Sequence, residues 1–397
     1  MSRGYQHTLV ASYIGYITQA LINNFAPLLF LTFQNNYGIP LSQITMLVTV
    51  NFLTQLVTDL VAARVADRIG YRTCIVAAHL FSAIGLLGLA LFPILLGNAY
   101  IGLLLAVICY AIGGGIIEVL ISPIVEACPT PSKSAAMSLL HSFYCWGYAF
   151  VVIISTAFFA LIGIDHWRIL AIIWALLPLY NAVYFTRVPI ATLTEPGAGM
   201  SLKGLFKEKQ FWLFLMLMVC AGASEQAVSQ WSSAFAEAAL HVPKMVGDLA
   251  GSCLFTLLMG LSRLLHSKSS RQIQPYFYML GSILLCAVSY LMISLSPWPV
   301  LALVGCGLCG LSVGILWPGV FSLSARHFPM GGTAMFALLA LGGDLGCSAG
   351  PTLVGLIADA STERLTMGIL TAMVFPMLFF AGLLLLSKTK RTENTTG

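Results

Sequence analysis

Three acidic residues, Glu118, Glu225 and Asp344, lie inside long apolar segments of a chain that carries few charges. An ionised carboxylate is costly in the hydrocarbon of a bilayer, so an acid at that depth normally faces a bundle interior or a water-filled cavity. Burial favours the neutral form of a carboxyl group. Such a group can bind a proton on one side and release it when the cavity rehydrates. The three acids therefore predict a central polar pathway and are candidates for proton coupling.

The composition is that of a membrane protein. Charged residues make up 8% of the 397 and hydrophobic residues 59%, with a mean hydropathy of +0.92; soluble domains carry roughly 25% charged residues. The net charge of +5 therefore gives no indication of nucleic-acid binding. We interpret the ten cysteines as small apolar packing residues and predict no metal site.

The apolar segments predict membrane-spanning helices, because each approaches or exceeds the roughly 20 residues that a span needs. Twelve are predicted, and we number them in chain order as spans 1–12: 8–33, 42–65, 73–95, 99–126, 134–162, 167–187, 211–238, 244–266, 273–295, 298–325, 332–357 and 366–387. With both termini in the cytoplasm, sixteen lysines and arginines fall inside and three outside, as the positive-inside rule requires.

The spans divide into two halves of six. Residues 188–210 form the longest polar interruption and are rich in Pro, Gly and Lys. We therefore predict an N-terminal bundle at 1–187, a cytoplasmic central loop at 188–210, and a C-terminal bundle with a short cytoplasmic tail at 211–397. This is the organisation of a transporter built from two parallel repeats.

The loop between spans 2 and 3 reads ARVADRIGYR over residues 63–72. It resembles the G-x-L-A-D-R-x-G-R-R signature of the major facilitator superfamily, with alanine in place of the first glycine. The resemblance implies an all-α polytopic protein with twelve transmembrane helices in two six-helix halves. In such a loop the acid can cap a helix start and the arginines can pair with acids at helix ends. We predict a conformational latch formed by Asp67, Arg68, Arg72 and Glu126; a short basic turn obeying topology rules alone is the alternative. Asp59, two turns earlier, is assigned to the latch region.

Further motifs resemble the fucose permease-like branch of sugar:proton symporters. Span 4 holds a G-x-x-x-x-E-(x)4-P pattern centred on Glu118, and span 10 holds a Trp317-Pro318 pair similar to the Y-P of that branch. In span 1, Asn23 stands four residues before a proline, where the branch has an aspartate. Asn23 cannot titrate. Coupling must therefore rest on fewer carboxylates, move to Glu225 or Asp344, or be missing.

Polar and aromatic side chains within the spans are candidates for binding a solute. Amides and hydroxyls exchange hydrogen bonds with hydroxylated molecules, and an aromatic face can stack on the apolar side of a sugar ring. For the tryptophans the alternative is an interfacial or lipid contact, and for Glu118 and the histidine it is structural hydrogen bonding. The candidates are Asn23, Asn24, Ser122, His141, Gln226, Gln230, Trp231 and Trp317.

Taken together, the residues predict a secondary active transporter that imports a sugar or similarly hydroxylated solute by alternating access, with proton coupling through Glu118. Asp344 has three open roles: solute pairing, proton carriage or capping of a helix break. A drug or metabolite exporter on the same fold and sodium-coupled uptake are the alternatives. No Walker, zinc-hydrolase or nucleophile-elbow motif is present, so we predict no enzyme activity and no catalytic residues. We expect no cofactor, only a proton or sodium gradient as the driving force. We also expect a monomer located in a bacterial inner membrane. Its partners are the solute and the lipid bilayer, and no nucleic acid.

Overall fold

The computed structural model describes residues 3–129, 133–190, 202–269, 275–328, 331–358 and 364–393. Eleven helical segments within these ranges are long and apolar enough to cross a bilayer, and the 27-residue helix Gly332–Ala358 supplies a twelfth. No strand occurs in the ranges described. The predicted all-α polytopic architecture is confirmed; the cytoplasmic location of both termini stays a prediction.

Unbroken helices form spans 2–6, 9 and 11, and the other spans are interrupted. The unbroken helices are Leu41–Ile69, Tyr71–Leu95, Ala99–Ala127, Lys133–Ile162, Trp167–Arg187, Pro275–Leu295 and Gly332–Ala358. Span 1 consists of the helix Arg3–Asn24, a 3₁₀ turn at Ala26–Leu29 and the helix Phe30–Tyr37. Span 8 consists of Lys244–Val246, a π-helical segment at Gly247–Cys253 and the helix Leu254–Ser269. The other three interrupted spans each consist of two helices: Lys209–Ser229 and Ser232–Ala239 in span 7, Pro299–Val313 and Leu316–His327 in span 10, and Leu365–Ala372 and Val374–Glu393 in span 12. Short helices also occur at Ile164–His166 and Leu202–Lys207.

Two compact units make up the chain. Unit 1 comprises Met1–Thr194 together with Pro243–Leu249, and unit 2 comprises Glu195–Val242 and Ala250–Gly397. The predicted domain boundaries at 187 and 210 stay a prediction, because residues 191–201 lie outside the described ranges.

Each unit uses the same pattern of helix pairing. In unit 1, span 4 packs along spans 2 and 3, span 1 packs on span 5, and span 3 on span 6. In unit 2, span 10 packs along spans 8 and 9, span 7 packs on span 11, and span 9 on span 12. The pairs of unit 2 are therefore those of unit 1 with six added to each number, which is the arrangement expected of an internal repeat.

Glycines allow the closest of these contacts. A Cβ on Gly346 of span 11 would collide with the backbone carbonyl of Val219 in span 7, and a Cβ on Gly222 would collide with that of Gly343. Small residues at such positions let helix backbones approach closely, which is how helices pack in lipid, where the hydrophobic effect does not drive them together. Spans 7 and 11 thus form one tight pair within unit 2.

Large apolar side chains remain exposed on the helix surfaces. Leu161 is 86% exposed and Leu95 72%, at the ends of spans 5 and 3. Contiguous apolar surface on this scale marks an interaction with another apolar phase. A lipid bilayer covers such a surface, in agreement with the helix lengths.

The segment Pro243–Leu249 is anchored in unit 1 by Lys244 and Asp248. The Lys244 Nζ lies 3.1 Å from Asp248 Oδ1, donates to the backbone carbonyl of Leu28, and lies over the ring of Phe159. Asp248 has no exposed surface and also accepts a hydrogen bond from Thr156 Oγ1 at 3.2 Å. A buried carboxylate needs such partners, because its charge is costly away from water. The ion pair therefore joins this segment to spans 1 and 5.

Candidate functional site

Spans 1, 7 and 10 are interrupted at residues that the sequence analysis singled out. Span 1 breaks after Asn24 and resumes through a 3₁₀ turn that contains Pro27. Span 10 breaks after Val313, five residues before Pro318. Proline has no N–H to donate to the carbonyl four residues earlier, which frees the carbonyl of Gly314. Arg263 Nε donates to this carbonyl at 3.3 Å, so a side chain supplies the missing hydrogen bond.

A hydrogen-bonded set of amides surrounds Glu118 within unit 1. We call Gln19, Asn23, Asn51, Gln55 and Glu118 the amide cluster. Gln19 Nε2 donates to Glu118 Oε2 at 3.1 Å and to Gln55 Oε1 at 3.0 Å. Gln55 Nε2 donates to Asn23 Oδ1 at 2.7 Å and to Asn51 Oδ1 at 3.0 Å. Glu118 is partly buried, and the four amides are buried. The cluster thus links spans 1, 2 and 4 around one carboxylate.

Helical spacing explains how the cluster assembles. Asn51, Gln55 and Asp59 follow one another at intervals of four on span 2, and Gln19 and Asn23 do so on span 1. Residues four apart share a helix face, so each span presents one polar stripe. The sequence analysis identified Asn23 and Glu118 but missed Gln19, Asn51 and Gln55. The interval of four on span 2 was the available signal.

Asp59, which the sequence analysis assigned to the latch region, lies close to Glu118; its latch assignment stays a prediction. A carboxylate oxygen of Asp59 lies within 4.8 Å of one of Glu118, and only 6% of Asp59 is exposed. Asp59 is two turns from the loop at residues 63–72, and on its helix it continues the stripe of Asn51 and Gln55. Asp59 therefore lies beside the carboxylate of the amide cluster.

Three more of the predicted solute-binding residues lie close to aromatic groups in unit 1. The Ser122 hydroxyl lies 3.0 Å from the Tyr16 hydroxyl, and the rings of Tyr16 and His141 meet edge to face at 5.4 Å. Asn24 Nδ2 donates to the Ala20 carbonyl at 2.8 Å and to the Tyr144 hydroxyl at 3.4 Å. Tyr16 thus brings Ser122 and His141 together, a role that the sequence analysis did not anticipate.

In unit 2 the predicted residues of span 7 form one hydrogen-bonded chain. Gln226 Nε2 donates to Glu225 Oε1 at 3.2 Å, and Gln230 Nε2 donates to Gln226 Oε1 at 3.1 Å. Both glutamines are buried. The chain ends where span 7 is interrupted after Ser229. Span 7 therefore carries an ordered set of polar side chains; their role in solute binding stays a prediction.

Trp317 and Asp344 are brought close to each other within unit 2. A Cβ on Gly343 would collide with the six-membered ring of Trp317, so this ring lies against span 11 one residue before Asp344. Trp317 is partly buried and Asp344 is buried. This proximity does not distinguish solute pairing, proton carriage and capping of a helix break as the role of Asp344, so its proton-coupling role stays a prediction.

Trp231 is enclosed rather than placed at an interface. Its side chain has no exposed surface, and its indole Nε1 donates to the Pro351 carbonyl at 2.9 Å. The lipid-contact alternative is therefore excluded in this structure. The predicted stacking on a solute would require the ring to become accessible.

Replacement of Trp231 by phenylalanine is expected to lower the melting temperature of the protein by a few degrees. The change leaves the Pro351 carbonyl without this donor, and a buried acceptor that loses its partner costs about 1–3 kcal/mol. Thermal unfolding in detergent measures the effect. Trp212→Phe is the matched control, because its indole also donates to a carbonyl, that of Phe206, but 53% of its side chain is exposed. Equal melting temperatures for the two variants would contradict the prediction.

Of the four residues of the predicted latch, Arg72 alone has a side chain among those that the structure describes. The side chains of Asp67, Arg68 and Glu126 lie outside the described residues. Arg72 Nη1 donates to the carbonyls of Phe185 and Thr186, both at 2.8 Å. These carbonyls belong to the last turn of span 6, where backbone acceptors have no partner within the helix and the dipole favours a cation. In the structure Arg72 thus stabilises a helix end through carbonyls; the latch role of all four residues stays a prediction.

Two cysteines of span 10, Cys306 and Cys309, are separated by two residues, a spacing that the sequence analysis overlooked. Both are free, fully buried thiols. Within the described residues, no group of three possible metal ligands includes a cysteine. Their interpretation as apolar packing residues stays a prediction.

Comparison with known proteins places these units in a family. The profile of the Major Facilitator Superfamily matches residues 10–351. No curated protein sequence matches the chain.

Solved structures share the fold at low sequence identity. The crystal structure of a bacterial homologue of the human lysosomal transporter Spinster, in an inward-facing and occupied conformation, is 14% identical with a TM-score of 0.79, covering 98% of both chains. A D-xylose–proton symporter is 11% identical with a TM-score of 0.80, covering 96% of this chain and 97% of its own. The fucose:proton symporter of E. coli is 14% identical with a TM-score of 0.66, covering 96% and 98%. The chain belongs to the Major Facilitator Superfamily and is a membrane transporter, not an enzyme.

Proposed function

We propose that this protein is a secondary active transporter that moves a small hydroxylated solute, a sugar or a sugar derivative, into the cell by alternating access. Uptake is coupled to protons through Glu118. The amide cluster carries this proposal, since it is one hydrogen-bonded set of side chains that holds both a titratable group and amides able to donate and accept hydrogen bonds.

The chemistry of the two units favours a solute rich in hydroxyl groups. An amide offers donors and an acceptor on one planar group and pairs with adjacent hydroxyls. Unit 1 offers the amides around Glu118, and unit 2 offers the span 7 chain of Glu225, Gln226 and Gln230. An exporter of apolar compounds favours a broad apolar cavity and gains little from such groups. Similarity to symporters of D-xylose and fucose supports a sugar.

Glu118 is the proposed proton carrier because of its position. It accepts a hydrogen bond from Gln19, and Asn23 stands at the place of the family's span 1 aspartate and cannot titrate. Loss of the proton gives a charged group that the amide donor stabilises, and uptake of the proton gives a neutral group that tolerates burial. Glu225 and Asp344 are proposed as further coupling groups. We also propose a monomer in a bacterial inner membrane, with both termini in the cytoplasm.

A screen of solutes in proteoliposomes tests the function. Monosaccharides, deoxysugars and glycosides are added one at a time, and the external pH is recorded without an imposed gradient. We expect alkalinisation outside with at least one sugar. A response to lipophilic cations alone would contradict the proposal and indicate an exporter. Sugar uptake that requires sodium and causes no pH change would identify sodium, not the proton, as the coupling ion.

A further inference from the structure

A groove between spans 1 and 6 lies outside the candidate site described above. Its volume is about 420 Å³, within the range of small-molecule sites, roughly 300–1,000 Å³. It lies at the end of span 6, and its polar lining consists of His7, Tyr180, Tyr184 and Arg187. Among the residues that the structure describes, no acid lines this groove. The groove therefore offers a positive charge, and none of the predicted solute-binding or coupling residues belongs to it.

Hydrogen-bond donors remain available in this groove. The guanidinium of Arg187 is exposed and has no ion-pair partner within the described ranges. His7 Nδ1 lies 2.7 Å from the Tyr184 hydroxyl, which leaves Nε2 of the same ring for a ligand. When the Tyr184 hydroxyl donates to Nδ1, the ring hydrogen lies on Nε2. An imidazole and a guanidinium that line one groove without an acid favour an anion.

Backbone carbonyls at this end of span 6 accept hydrogen bonds from side chains. The last turn of a helix exposes carbonyl oxygens, which repel an anion. Here the carbonyls of Phe185 and Thr186 accept from Arg72 Nη1, and Thr8 Oγ1 donates to the carbonyl of Pro189. These hydrogen bonds offset the negative end of the helix dipole, and Arg72 adds a second positive charge at the same helix end.

The exposed face of span 6 changes from apolar to charged along its length. Leu176, Tyr180, Val183 and Arg187 follow one another at intervals of four, three and four, so they share one helix face. The first three are more than half exposed, and Val10 of span 1 is exposed as well. Exposed apolar side chains contact acyl chains, and tyrosine is enriched where the bilayer meets water. This face therefore matches the division of a phospholipid into chains and headgroup.

We propose that the groove between spans 1 and 6 binds the headgroup of an anionic phospholipid, with its phosphate at Arg187 and His7. The planar fork of a guanidinium matches the oxygens of a phosphate, and basic pockets between transmembrane helices on the cytoplasmic side suit anionic headgroups. The predicted orientation places this end of span 6 on that side. A soluble phosphate would use only the charged part of the site, whereas a lipid also covers Val183 and Leu176. The inference goes beyond the proposed function and does not depend on it.

Lipid binding is tested on the purified, delipidated full-length chain in detergent. The protein is titrated with dioleoylphosphatidylglycerol or dioleoylphosphatidylcholine, which share their acyl chains, and bound lipid is counted by native mass spectrometry. Phosphatidylglycerol should bind about fivefold more tightly, as expected for one basic residue beside an anionic headgroup. Arg187→Gln should remove this preference, and Arg187→Lys, which keeps the charge, should retain most of it. Val183→Trp fills part of the groove without changing the charge and should weaken phosphatidylglycerol binding as well.

Arg326→Gln is the matched control, because Arg326 is also an exposed arginine in the last turn of a span, span 10. This variant should bind both lipids like the wild type. An equal loss in Arg326→Gln would indicate diffuse attraction to positive charge and overturn the proposal, as would equal affinities of the wild type for the two lipids. Displacement of phosphatidylglycerol by an equal concentration of glycerol 3-phosphate would identify a soluble anion as the ligand instead. If Arg187→Gln does not fold, Val183→Trp gives the same decision. The measurement uses no solute, so its failure would leave the proposed transport function in place.

Discussion

Replacement of Glu118 by glutamine is expected to abolish concentrative uptake while solute binding persists. Glutamine keeps the shape of the side chain and still accepts the hydrogen bond from Gln19, but it cannot carry a proton. A potential of 100 mV is worth about 2.3 kcal/mol per charge, so one coupled proton supports roughly 50-fold accumulation. In the variant this ratio should fall to unity. Accumulation of a radiolabelled solute in energised proteoliposomes measures the ratio, and solute-induced thermal stabilisation measures binding.

The matched control for this variant is Glu208→Gln. Glu208 is an exposed acid just before span 7, so its loss should leave the accumulation ratio at the wild-type value. Accumulation retained in Glu118→Gln would move the coupling to another group, with Glu225 and Asp344 next to be tested. Loss of both binding and accumulation would instead make Glu118 a solute ligand.

Replacement of Lys244 by methionine is expected to lower the melting temperature by on the order of 10 °C. Asp248 has no exposed surface, and the Lys244 ammonium is 3.1 Å from it. Removing one member of a buried ion pair costs about 3–5 kcal/mol because the other charge stays in a medium that solvates it poorly. Thermal unfolding in detergent, followed by the fluorescence of a thiol-reactive dye, measures the change.

A double variant distinguishes loss of the ion pair from loss of packing. Lys244→Met combined with Asp248→Asn removes both charges and keeps similar volumes, so it should recover most of the stability. If the double variant is as unstable as the single one, the aliphatic and ring contacts of Lys244 rather than its charge carry the effect. A single variant that melts like the wild type would show that the pair contributes nothing.

The architecture could be predicted from the sequence because it depends on lengths and composition. Twelve apolar segments of spanning length fix the number of crossings, and the polar segment at 188–210 separates two sets of six. The interruptions of the helices are harder to predict from the sequence. Pro27 and Pro318 indicate two of them, whereas the break after Ser229 in span 7 has no proline or glycine nearby to mark it. The hydrogen bonds of its polar side chains and the enclosed Trp231 accompany that break in the structure.

The candidate site could be predicted only in part, because it depends on which helix faces meet. The intervals of four that link Asn51, Gln55 and Asp59 predict a shared face on span 2. They do not predict that this face lies beside Glu118 of span 4, since spans of nearly uniform hydropathy reveal little about their rotation. The position of Asp59 two turns before Asp67 assigned it to the latch region. The helix packing also brings it close to Glu118.

Unit 1 is not built from one continuous stretch of the sequence, and this matters for experiments in which the protein is expressed as two fragments. Residues 243–249 come from the second half of the sequence but belong to this unit. A polypeptide that ends within 191–201 would lack them, and the Leu28 carbonyl, the Thr156 hydroxyl and the Phe159 ring would lose the partners that Lys244 and Asp248 provide. Unit 1 made from such a polypeptide should therefore be less stable alone than together with the complementary fragment, which supplies residues 243–249.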